Sequence, residues 1–162
     1  MKKELPKLSL RRLHGIRTQG YCNYSDENLT ELAFGNRFAY YTCSLFLLVG
    51  VITANIEILG AMMVVSILGI LLPNHPFDYI YNIFLSKPMN KPKLPRRSKQ
   101  LKFACIVATL WLATTIYLFY SGLILAGYIS GGLLFSVAFL VSTTDICIPS
   151  LIYNSLFKYE VK

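Results

Sequence analysis

Four long apolar stretches, at 38–54, 56–72, 101–120 and 123–141, alternate with polar segments along the 162-residue chain. Their only charged residues are Glu57 and Lys102, each near an entrance. A hydrocarbon core roughly 30 Å thick needs about 20 mostly apolar residues at 1.5 Å rise per residue, and each stretch comes close to that. The pattern predicts an all-α polytopic membrane protein of four transmembrane helices in two hairpins, turning tightly at Asn55 and at Gly122.

Shorter patterns flank the spans. Ser25, Asp26 and Glu27 read as the start of a short helix, with acidic groups at its positive end, leading through Leu29, Leu32 and Phe34 into the first span. The preceding leucines are interrupted by charges and form no signal-peptide core. Residues 1–36 thus read as a basic tail with a short helix, and 37–162 as the transmembrane domain. The sequon Asn28-Leu29-Thr30 falls in this segment and is discounted, because the segment is predicted to be cytoplasmic.

The chain also resembles itself. Arg37-Phe38-Ala39 opens the first span as Lys102-Phe103-Ala104 opens the third, and Ile80-Tyr81-Asn82 follows the second as Ile152-Tyr153-Asn154 follows the fourth. Each unit reads as helix, turn, helix and a short amphipathic segment at the headgroups, where Tyr and Phe are favoured. Two such units imply an internal duplication about an axis along the membrane normal.

Composition agrees with a membrane setting: 54% of residues are hydrophobic and mean hydropathy is +0.49, in a chain of net charge +8. The charge fixes orientation. Lys2, Lys3, Lys7, Arg11, Arg12, Arg17 and Arg37 precede the first span, and Lys87, Lys91, Lys93, Arg96, Arg97 and Lys99 occupy the central loop 86–100, whereas the two turns carry no cation. Positive loops stay in the cytoplasm, so both termini and the central loop are predicted there. Interleaved with Pro88, Pro92 and Pro95, that loop reads as extended, solvated and in contact with anionic headgroups or an acidic partner. It lacks the aromatic residues that stack on bases, which argues against nucleic acid.

Small residues are the expected glue between helices in lipid, and Gly122, Ala126, Gly127 and Gly131 present them at helical spacing, for packing within the chain or against another copy or membrane protein. Candidate chemistry gathers at the cytoplasmic ends. His75 and Cys147 occupy equivalent positions in the repeat, with Asp78 and Asp145 nearby. The structural reading makes Asn74 or His75 the cap of a helix beginning near Pro76, Asp78 its first-turn acid, and Asp145 a cap or turn residue. The chemical reading is an imidazole lowering the pKa of Cys147, with Cys43 and Cys105 in the same leaflet. No Cys-x-x-Cys pair or zinc spacing occurs, both histidines lie outside the spans so that haem cannot be ligated within them, and no cofactor is predicted. No phosphate loop, serine elbow or zinc-protease helix is present either. Trp111 reads as a packing or lipid-facing residue.

Asn74-His75-Pro76-Phe77-Asp78 and Cys147-Ile148-Pro149-Ser150-Leu151-Ile152-Tyr153 resemble motifs of the bacterial integral membrane family catalogued as domain of unknown function 4395, from about Arg37 onward. The resemblance implies a four-helix protein of a bacterial inner membrane and carries no activity. Without intramembrane charge, the leading expectation is an accessory or scaffold subunit without catalysis. The alternatives are a membrane thiol-redox or sulfur-handling protein using Cys147 and His75, or a small transporter.

Overall fold

A computed structural model describes residues 8–159, so Lys2, Lys3 and Lys7 lie outside the described residues. Its order is α1 (Leu10–Thr18), α2 (Asp26–Ile52), α3 (Ile56–Leu71), α4 (Pro76–Ile80) running into a π-helical turn (Tyr81–Leu85), α5 (Lys99–Tyr120), α6 (Ile124–Thr144) and α7 (Ile148–Leu156), with no strand among the described residues. α5 and α6 are each long and apolar enough to cross a membrane, which marks the chain as a membrane protein. A third crossing follows if α3 and the segment Pro76–Leu85, bent by 79°, count as one broken span. α3 has 16 residues, about 24 Å of helix. α2 is longer at 27 residues but opens on a polar third. Its N-cap is Ser25, whose hydroxyl accepts from the Asn28 N–H, so the short helix and the first apolar stretch are one continuous element.

Helix pairing obeys an exchange of the two halves: α3 packs on α5 as α6 packs on α2, and α2 packs on α4 as α5 packs on α7. Side chains repeat the exchange. The Tyr81 ring lies 6.0 Å from Phe38, and the Tyr153 ring 5.5 Å from Phe103. Asn82 donates to the Leu94 carbonyl ahead of α5, and Asn154 to the Thr18 carbonyl ahead of α2.

At the hairpin end the helices meet through apolar and small residues. Leu47, Val51, Leu59, Leu112, Phe119 and Leu134 are buried together. A Cβ added at Gly127 would lie 2.6 Å from Phe119, and one at Gly131 2.6 Å from Val51, so these glycines let α6 approach α5 and α2. The other two small residues make no such approach within the chain. Gly122 would meet nothing and instead supplies the positive φ of 76° in the α5–α6 turn, while Ala126 is exposed. Trp111 ties α5 to α6, its indole N–H lying 3.1 Å from the Ser130 carbonyl.

The opposite end differs from expectation in two ways. The N-terminal segment, read as a basic tail, carries a further helix, α1, that is docked on the bundle: Leu13 and Ile16 are buried, and Gly15 lies so close to the end of α6 that a Cβ would fall 2.6 Å from the Asp145 carbonyl oxygen. The central loop is extended but tied down rather than solvated throughout. Leu94 is buried, its N–H donates to Asn82 at 2.7 Å, and Asn74 donates to the Pro95 carbonyl at 2.8 Å. Arg97 turns its side chain inward, where it is only 5% exposed, because it pairs with buried Asp78.

Candidate functional site

Beyond α3 the chain cannot continue as helix into Pro73 and Pro76, so it turns and restarts at α4. His75 is the N-cap. Its Nδ1 accepts from the Phe77 N–H, and its own N–H donates to Asp78 Oδ2 at 3.0 Å, closing a reciprocal capping box. Asp78 then accepts from Arg97 Nε at 2.6 Å and Nη2 at 3.1 Å. Fork and carboxylate meet edge to edge, the strongest geometry available to this pair. Burial would lower the Arg97 pKa, but the charge and hydrogen bonds of Asp78 outweigh it and raise the pKa well above its ordinary range.

Asp145 plays the matching part after α6. It caps the helix with a positive φ of 62°, and its fully buried carboxylate accepts from Arg37 Nε at 2.8 Å and from Arg37 Nη2, with Arg12 at 3.9 Å. Each acid that ends one half therefore binds an arginine that opens the other. Gln19 links the two sides: fully buried, it donates to the Asp145 carbonyl at 2.7 Å and accepts from Asn36 at 2.9 Å and Tyr40 at 3.1 Å.

Cys147 is the N-cap residue of α7, as His75 is of α4, and both side chains are buried. They line one cavity of about 190 Å³ between α2, α3, α5 and α6, together with Cys43, Cys105 and Arg97. Three thiols thus share one space, a closer association than a common leaflet. Their chemistry differs from an activated thiolate. Burial pushes the Cys147 thiol pKa up, against the lowering influence of Ser150 and Arg97. Burial, assisted by Arg97, pushes the His75 imidazole from 6.5 down to about 3, so it is neutral and cannot stabilise an adjacent anion as imidazolium. Among the described residues no three His, Cys, Asp and Glu side chains form a metal-binding group.

Of the cations assigned to the surface, Lys87, Lys93, Arg96 and Lys99 are exposed and Lys91 is half-buried. The residues that sequence reading missed are Gly15, Gln19, Asn36 and the partners of the two aspartates. Arg37 and Asp145 are 108 positions apart, with no periodicity to relate them. The signal that existed was polarity out of place, an Asn-Arg pair at the mouth of an apolar helix and a lone Asp after another.

A family model described as Domain of unknown function (DUF4395) matches residues 34–158. No curated protein and no solved structure matches the chain.

Proposed function

The chain belongs to the DUF4395 family, and on that premise we propose that it is a non-catalytic accessory or scaffold subunit of a larger membrane assembly. In this reading α2, α3, α5 and α6 all cross the inner membrane of a bacterium as two copies of one hairpin. Both termini and the basic loop face the cytoplasm, and α4 and α7 lie among the headgroups. The observation that carries it is the employment of the polar groups. Asp78, Asp145 and His75 are each engaged in caps and ion pairs that hold the fold. The cations Lys87, Lys93, Arg96 and Lys99 remain exposed between α4 and the start of α5, where an acidic partner or anionic headgroups meet them.

Purification in mild detergent from native-level expression tests this. A stoichiometric membrane component should co-purify and be lost when those four cations are changed to Glu. A chain that runs alone at every expression level overturns the reading. A thiol-handling role is the second reading, favoured by Cys43, Cys105 and Cys147 lining one cavity. Cys147→Ser with unchanged alkylation by a membrane-permeant maleimide and unchanged phenotype would remove it.

A further inference from the structure

The cavity carries more than its thiols. Its walls are mostly apolar, interrupted by Ser66, Tyr40 and His75 and by Arg97, which lies beside Cys105. The Arg97 side chain is 95% buried, being 5% exposed, and two of its three nitrogens are taken by Asp78. The third, Nη1, has a single weak partner among the described residues, the Cys105 sulfur at 4.0 Å. A buried guanidinium N–H without a good acceptor is costly, and a ligand that supplies one is held there. The acceptor is not a carboxylate. Asp78 already neutralises the guanidinium, and a second anion on one cation would pay desolvation without a charge to offset it. A neutral oxygen accepts the same hydrogen bond without that cost.

We propose that the cavity between α2, α3, α5 and α6 binds a small, neutral, mostly apolar molecule through a carbonyl oxygen that accepts a hydrogen bond from Arg97 Nη1. The apolar body occupies the space beside Ala108, Leu112, Leu134 and Ala138. The carbonyl is either that of a free ketone or quinone dissolved in the bilayer or that of a lipid ester.

Benzophenone, a diaryl ketone that inserts into C–H bonds under ultraviolet light, is the probe. With the whole protein in lipid vesicles, adducts mapped by mass spectrometry should concentrate on the cavity residues. Exposed Val64, Leu110 and Leu125 serve as the lipid-facing reference. Unlabelled benzophenone should compete about ten-fold better than diphenylmethane, the same body without the oxygen, since one charge-assisted hydrogen bond is at stake. The substitutions Ala108→Leu and Ala138→Leu together should abolish cavity adducts while leaving those at the reference positions. Adducts spread evenly over the lipid-facing residues, or equal competition by the two compounds, would overturn the assignment. The competition needs no variant and stands even if the filled cavity fails to fold. Vesicles of ether-linked lipid separate the sources. Adduct yield above that in ester-linked lipid identifies a lipid ester as the occupant, and equal yield identifies a free carbonyl compound.

Discussion

The two ends of the bundle are held by opposite means. At the hairpin end Gly127 admits Phe119 and Gly131 admits Val51, so close packing does most of the fastening, with Ser130 bonded to Trp111 and Thr115 as the polar exception. At the end closed by α4 and α7, Asp78, Asp145, three asparagines and two glutamines are buried, and the aspartates hold the side chains of Arg97 and Arg37. Lipid offers apolar helices no hydrophobic reason to associate, so contact must come from close packing or from polar pairs that lipid cannot satisfy. Packing suits the end where short turns already hold neighbours together. Polar pairs suit the end where α1, the central loop and α7 must be selected from distant sequence, because an aspartate accepts only a donor set in the right place.

The sharpest way to break this division is to remove Arg97. Arg97→Met leaves Asp78 buried and unpaired, at an expected cost of about 3–5 kcal/mol in an unfolding titration in mixed micelles. Adding Asp78→Asn should restore at least half of that loss, because the neutral amide no longer needs a cation. Arg37→Met should behave alike against Asp145→Asn. A loss under about 1 kcal/mol for both arginines would mean that the polar end is held by its apolar contacts after all.

Acid probes the same end without removing a contact. His75 has a folded pKa near 3 against an ordinary value of 6.5, so the folded state prefers the neutral ring and the unfolded chain takes up a proton first. The stability this lends is complete above about pH 6.5 and declines by about 1.4 kcal/mol per pH unit as pH falls toward about 3. His75→Asn keeps a helix cap and should flatten that limb of the stability curve. An unchanged slope in this variant would assign the acid sensitivity to other groups.

How much could be read beforehand follows the same division. The apolar runs, the turns at Asn55 and Gly122, the Ser25 cap and the close packing of Gly127 and Gly131 are local patterns, and periodicity exposes them. Asp78 and Asp145 were legible as capping or turn residues because a cap is also local. Their ion pairs were not, since Arg97 sits in a proline-rich basic run that reads as solvated and Arg37 only as a topology signal. The Ile-Tyr-Asn repeat gave a register in which His75 and Cys147 are equivalent, and both do border one cavity. The seating of α1 beneath α6 rests on Gly15, a residue with no distinguishing neighbours in sequence.

The smallest expected effects bear on the hairpin end, where two adjacent glycines make the test internal. Gly131→Ala forces a Cβ to within 2.6 Å of Val51 and should cost about 1–3 kcal/mol by overpacking. Gly132→Ala meets nothing within 4 Å and removes only the flexibility of the unfolded chain, so it should stabilise by about 0.4–1 kcal/mol. Helix propensity is the same for both, so the difference in sign isolates the approach of α6 to α2. Equal responses, measured in the same micelle titration, would show that this glycine serves the helix and not the contact. The hairpin end would then lack the shape-based fastening that distinguishes it from the polar end.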